Sequence, residues 1–333
     1  VAAAAEIRAL ADVVDLEVVA LETAMFSGRR VHPALAAALE ERGLELAWEP
    51  PVVRADTVVV HNPSCLRFDT ALSVRISCAQ AVVVTHENFL RPNGSEAFDV
   101  AGCLRLLERA MVCGRRYLAP VSPYNRRTVA DWLARAGRAW TLLATDWFNI
   151  VDAALLPPTS APRDRRGRHS RPGFEKFPPP HVMRAHFPPH AEACIILGGD
   201  GLRLEPEAIP AHWDLRPFGA TAVDAFLREI DVFVYFTNPL WRESFGRAVA
   251  EAIAAGKVVI TDPATATSFP EMVIASDGSD VDRIVAELVR APERYVEVVR
   301  RAQSGLARFA PEAFLARVLP ELVRGGAAPR ALV

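Results

Sequence analysis

Two glutamates, Glu243 and Glu251, stand eight residues apart in the run Glu243-Ser-Phe-Gly-Arg-Ala-Val-Ala-Glu251. At about 100° and 1.5 Å per helical residue they would lie within about a quarter turn of each other, roughly 12 Å apart along the axis. Carboxylates accept paired hydrogen bonds from vicinal hydroxyls, so one can hold a ribose and the other a hexose. Two solvated acids on an amphipathic helix are the plainer reading of the same spacing. A helix is expected over residues 245–255, with Ser244 and Gly246 at its first turn. There the free amides and the positive end of the helix dipole suit a phosphate. Ordinary capping by Ser244 explains that residue equally well.

Cations and imidazoles stand elsewhere. Lys176 and Lys257 are the only lysines of the chain. Lys176 lies in a loop-like basic stretch, Gly167-Arg-His-Ser-Arg-Pro-Gly-Phe-Glu-Lys176, which also offers Arg168, His169 and Arg171. His86 follows the apolar run Val82-Val83-Val84 and His61 follows Val58-Val59-Val60, so each is expected at the carboxyl end of a strand. For His61 a hydrogen-bonded structural role is the reading the sequence favours. The histidines and cysteines lack metal-ligand spacing, and Asp280-Val-Asp282 reads as a helix start, so no metal is expected.

The elements that must position these residues alternate. Strands are expected over residues 15–21, 57–60, 81–84 and 117–121, with helices over 2–12, 32–42, 100–113 and 125–136. Near-continuous valine in strands separated by helices indicates a parallel sheet covered on both faces. Residues 155–180, rich in proline and containing the basic run 163–171, read as an interdomain linker with a boundary near residue 158. The rhythm then resumes with strands at 193–197, 231–235 and 258–261 and helices at 223–229, 245–255 and 281–290, before closing helices at 292–309 and 311–323. Ligands of such sheets bind at the carboxyl ends of the strands.

With 333 residues, 51% of them hydrophobic, the chain can support two cores. A net charge of -2 argues against a nucleic-acid partner, which needs surplus cations to displace counterions. No apolar run is long enough to span a membrane, although peripheral membrane contact through arginines and apolar residues in 100–140 stays open. The five widely spaced cysteines, with no CxxC pair, suit reduced thiols in cytoplasm.

Glu243 through Ile260 resembles the E-x7-E motif of the retaining GT-B glycosyltransferases, with the A-x-A-x-G-x-x-V-I type passage that follows it in that family. The resemblance extends back through Phe218-Gly219 and Gly198-Gly199-Asp200 and covers essentially the whole second half. It implies an α/β fold of two Rossmann-like, doubly wound domains facing a cleft (GT-B): residues 1–158 on the acceptor side and 159–333 holding the nucleotide sugar. It further implies that Glu243 contacts the transferred sugar, that Glu251 holds the ribose, and that Ser244, Phe245, Gly246 and Gly199 help bind the nucleotide sugar. Phe218 and Gly219 would line the base, Lys176 with Arg168 or Arg171 would neutralise the diphosphate, Arg168 being preferred, and His86 would touch the donor sugar. The implied activity is metal-independent transfer of a hexose from a UDP or GDP sugar, with retention, to a hydroxyl of a glycan, lipid or small molecule, with no cofactor beyond the donor. In one respect the chain departs from the family, which opens with a strand and a glycine-containing loop; neither is found before Asp15, so either that segment lies outside this sequence or the first domain is reduced. A non-catalytic, nucleotide-sugar binding or scaffolding subunit is the alternative.

Overall fold

The computed structural model describes residues 2–137, 140–202, 209–323 and 330–332, the last three as backbone. The chain divides into two units, residues 1–152 with 308–333, and residues 153–307.

In the first unit, helices α1 (Ala2–Leu10), α2 (Pro33–Arg42), α3 (Val100–Ala110) and α4 (Pro123–Ala136) alternate with strands. The strands are β1 (Asp15–Ala20), β2 (Leu46–Trp48), β3 (Val52–His61), β4 (Arg75–Thr85), β5 (Met111–Pro120) and β6 (Thr141–Leu142). Ala81 to Val84 are fully buried, as two-sided cover of a parallel strand requires. Helix α2 stops at Gly43, which takes the left-handed conformation with φ 62° that glycine adopts at little cost. Strand β5 begins at Met111, where the sequence suggested that a helix ran to residue 113.

The second unit contains β7 (Arg165–His169), β8 (Ala193–Leu197), β9 (Trp213–Arg216), β10 (Val232–Tyr235), β11 (Val258–Thr261) and β12 (Ile274–Ala275). Its helices are α5 (Pro180–His186), α6 (Val223–Glu229), α7 (Arg247–Ala254), α8 (Pro263–Ala266), α9 (Val281–Arg290) and α10 (Pro292–Gly305). The six strands pair in parallel in the order β12-β11-β10-β7-β8-β9. The basic run read as linker is thus an interior strand, β7. Two of its three arginines are compensated by acids: Arg165 forks onto Asp231 at 2.8 and 3.0 Å, and Arg166 pairs with Asp164 and Asp282, each at 2.6 Å; Arg168 meets backbone carbonyls instead. Buried guanidinium is kept where such partners meet it.

The last helix, α11 (Pro311–Val323), and strand β13 (Arg330–Leu332) belong with the first unit. Phe314 packs edge-on against Trp147 and Phe148, with centroids 5.5 and 5.7 Å apart, and Phe309 against Phe148 at 5.6 Å. Aromatic burial therefore draws back residues that the sequence placed in the second domain. Strand β13 pairs in parallel with both β1 and β3, giving a seven-stranded order β2-β1-β13-β3-β4-β5-β6.

All five cysteines are free thiols, and burial pushes Cys65, Cys103 and Cys194 up to about 11. No described helix is long and apolar enough to cross a membrane.

Candidate active site

Parallel pairing of β10 with β7, in the register Val232↔Arg166 and Phe233↔Gly167, sets the carboxyl ends of these neighbours side by side. From the end of β10 the Tyr235 hydroxyl donates to Glu243 Oε1 at 2.7 Å. After β7 the chain turns through a short 3-10 segment, Phe174–Lys176, that delivers the Lys176 ammonium to the same oxygen at 2.5 Å. Glu243 and Lys176 are 12% and 19% exposed, so the pair is partly withdrawn from water. Burial alone would raise the Glu243 pKa, but Lys176 and the Tyr235 hydroxyl outweigh it and hold the carboxylate below its ordinary value. Burial, and then Glu243, push the Tyr235 phenol well above its ordinary value.

Glu243 is not on the helix. Helix α7 begins at Arg247, with Gly246 as its cap in a left-handed conformation, φ 96°, that supplies no side chain to the first turn. The helical spacing argument for the two glutamates therefore fails in detail, because the loop through residue 245 carries Glu243 to Lys176 and Tyr235 while Glu251 rides on α7. Glu251 accepts from Arg247 at 2.8 Å and lies 3.5 Å from His169 Nε2. Ser244 sits two residues ahead of the cap rather than in the first turn. Phe245 is buried against Phe269, with centroids 5.4 Å apart, so its side chain packs inward.

Beside these lies the turn after β8. Gly198 has φ +84°, and a Cβ there would come 2.0 Å from the Ser170 carbonyl oxygen at the end of β7. Gly198 to Gly201 then turn back, with Gly199 packed on Leu215, and Asp200 Oδ1 accepts from the Phe218 amide at 2.9 Å. The Phe218 ring is 59% exposed, a face on which a planar base can stack, and Gly219 follows at φ +80°. Gly198→Ala should lower stability by about 3 kcal/mol or more, combining a backbone clash with a disfavoured φ. Urea denaturation measures this, and a loss under about 1 kcal/mol would contradict the close approach.

Arg168 occupies a different place from the one the sequence suggested. Its guanidinium is 1% exposed, lies over the rings of Phe177 and Tyr235 at 4.4 and 5.1 Å, and donates to the carbonyls of Phe236 (2.9 Å) and Lys176. Burial draws its pKa down to about 10. Arg168 shapes the loop that carries Lys176, and the open cation of the stretch is Arg171, 63% exposed and 2.9 Å from Glu175. His169 is wedged near Phe226 and Phe233, and burial lowers it to about 4.

His86 belongs to the first unit, just past β4, and His61 ends the adjacent β3, paired with Val84. The two imidazoles meet, His61 Nδ1 to His86 Nε2, at 3.0 Å. Asn125 secures the loop bearing His86 by accepting from Thr85 Oγ1 (2.6 Å) and donating to Glu87 O (3.1 Å), while Ser122 accepts from the Asn125 amide as the cap of α4. Sequence reasoning missed Tyr235, whose place at a strand's carboxyl end was a usable signal, and Glu6, for which there was none.

No protein-family model matches the sequence, and no curated protein matches it by sequence. Solved structures do resemble it in shape. Anabaena HepE in complex with UDP and glucose aligns over 96% of this chain and 95% of its own, with TM-score 0.64 and 14% identity. The apo structure of OtsA covers 98% and 96% at TM-score 0.57 and 13% identity. A UDP-forming trehalose-phosphate synthase from Burkholderia xenovorans covers 90% and 81% at TM-score 0.54 and 11% identity. The likeness shows the fold: two Rossmann-like α/β units of the GT-B type.

Proposed function

We propose that the chain is a retaining glycosyltransferase that moves a hexose from a nucleoside diphosphate sugar to a hydroxyl acceptor without a metal. The observation that carries this reading is the Glu243 carboxylate gripped by Lys176 and Tyr235, in the same unit as a glycine-capped helix that bears Glu251. An ammonium has three protons to give and Glu243 takes one, so Lys176 can also serve a phosphate oxygen. Together with Arg171 and the first amides of α7 it supplies positive charge where a departing diphosphate accumulates negative charge. Glu243 would hold the hexose, Glu251 the ribose and the exposed Phe218 the base. In the reaction the bond from sugar C1 to the phosphate oxygen breaks and its electron pair leaves with the diphosphate. The acceptor oxygen bonds to C1 on the same face and passes its proton to a leaving phosphate oxygen, which explains why no separate nucleophile is needed.

UDP is the first nucleotide to try, because similar HepE structures hold UDP and UDP-glucose. Calorimetric titration should show UDP binding to the wild type and about tenfold weaker binding, or worse, to Glu251→Ala, since a bidentate grip on two hydroxyls is lost. A chelator should leave both titrations unchanged. Equal affinities would remove Glu251 from the ribose, and UDP binding with no sugar turnover on any acceptor would favour a non-catalytic binding subunit.

A further inference from the structure

Glu6 of α1 is fully buried, although nothing in the proposed transfer calls for it. Its Oε2 accepts from the Trp147 indole N–H at 3.0 Å, and His61 Nε2 lies 3.3 Å from the same oxygen. Glu6 Oε1 and His61 Nε2 have no hydrogen-bonding partner, and the two side chains meet as a charged-polar contact of Nε2 with Oε2 rather than as a hydrogen bond. On the other side of the ring His61 Nδ1 meets His86 Nε2 at 3.0 Å, with the ring planes 22° apart and centroids at 5.3 Å. The facing nitrogens are closer than the centroids in nearly parallel rings. That directs each nitrogen at the other, as an N–H···N hydrogen bond requires, rather than at a common point where a metal would sit.

Proton positions follow along the row. An indole N–H only donates, so Glu6 Oε2 is an acceptor, and a bare nitrogen lone pair 3.3 Å from that oxygen would be repelled, which places the proton of His61 on Nε2. A neutral imidazole with a proton on Nε2 is an acceptor at Nδ1. The His86 nitrogen facing that acceptor must then be the donor. We infer that Glu6 is a positioning residue that, acting through His61, fixes His86 in the Nε2–H tautomer and leaves its Nδ1 as the acceptor of the ring. Burial, reinforced by His61, pulls the His86 pKa down to about 4, so the ring is neutral at pH 7. A neutral acceptor receives a hydrogen bond from a hydroxyl and makes that oxygen more electron-rich. Made to a substrate hydroxyl, such a contact strengthens where positive charge develops on the substrate in the transition state. This consequence for catalysis rests on the proposed transfer, whereas the tautomers do not.

Long-range proton–nitrogen NMR of the histidine-labelled full chain at pH 7 reads the tautomers directly, with His61→Asn and His86→Gln spectra assigning the signals. The wild type should show Nε2–H for both rings. Glu6→Met, which removes the acceptor, should give mixed tautomers at His86 and lower sugar turnover at least about tenfold with UDP affinity unchanged. Glu6→Gln keeps a carbonyl acceptor and should retain both the wild-type tautomers and most of the turnover. An Nδ1–H tautomer at His86 in the wild type would overturn the inference even if Glu6→Met fails to fold. So would a Glu6→Met spectrum unchanged from wild type, or zinc shifting both rings together at stoichiometric concentration. Loss of all turnover in the wild type would instead strike the proposed transfer and leave the tautomers standing.

Discussion

Replacing Lys176 by methionine is expected to lower kcat for sugar transfer by about 100- to 1,000-fold, the scale for removing one charge that acts on the leaving group. UDP affinity should fall as well, because the ammonium meets the diphosphate before and after bond cleavage. The same substitution has a signature in stability. In the wild type Glu243 is held below its ordinary value of 4.5, so it contributes stability above that unfolded value, and the contribution is lost as pH falls through the lowered folded value. Without Lys176, burial becomes the dominant influence and raises the Glu243 pKa in the folded chain. A folded state that binds a proton more tightly than the unfolded one loses stability as pH rises past 4.5. The gap in stability between wild type and Lys176→Met should therefore widen from pH 4 to pH 7 in urea denaturation. A gap constant with pH would mean that the two side chains do not share the charge that the 2.5 Å contact describes.

Glu243→Gln should separate binding from chemistry. The amide keeps the size of the carboxylate and can still accept from the Tyr235 hydroxyl, but it cannot ion-pair with Lys176 or hold a sugar hydroxyl with a full negative charge. Turnover should drop by about 100-fold or more, while UDP, which lacks the sugar, should bind within about threefold of wild type. Single-turnover kinetics with UDP-glucose together with UDP titration checks this. A variant that loses UDP binding while keeping turnover at saturation would place Glu243 on the nucleotide instead.

Much of this architecture was legible because burial on both sheet faces writes itself into the sequence. Val82 to Val84 and Val258 to Ile260 read as parallel strands and are parallel strands. Strand β7 was not legible, since Arg-Arg-Gly-Arg-His looks solvated. Besides the local Asp164, the acids that neutralise it, Asp231 and Asp282, lie 66 and 116 residues away from their arginines. The return of residues 308–323 to the first unit has a similar cause, because it depends on Trp147 and Phe148 receiving Phe314.

At the site, individual residues could be chosen by type while their pairing could not. Lys176 and Glu243 were each selected, yet their contact spans 67 residues and is made by a loop geometry that spacing does not encode. Assuming one continuous helix placed Glu243 a quarter turn from Glu251, whereas the left-handed Gly246 ends that regularity before the helix begins. Preference for Arg168 over Arg171 rested on neighbouring residue types. Those types do not encode the fact that Arg168 points into a cage of Phe177, Tyr235 and backbone carbonyls.

A crystal structure of the chain soaked with UDP puts the central claim to its most direct test. The diphosphate should lie against the first turn of α7 within hydrogen-bonding reach of Lys176, with the ribose hydroxyls on Glu251 and uracil beside Phe218. Nucleotide density that leaves Lys176 and Glu251 untouched, with the tip of α7 bare, would contradict it.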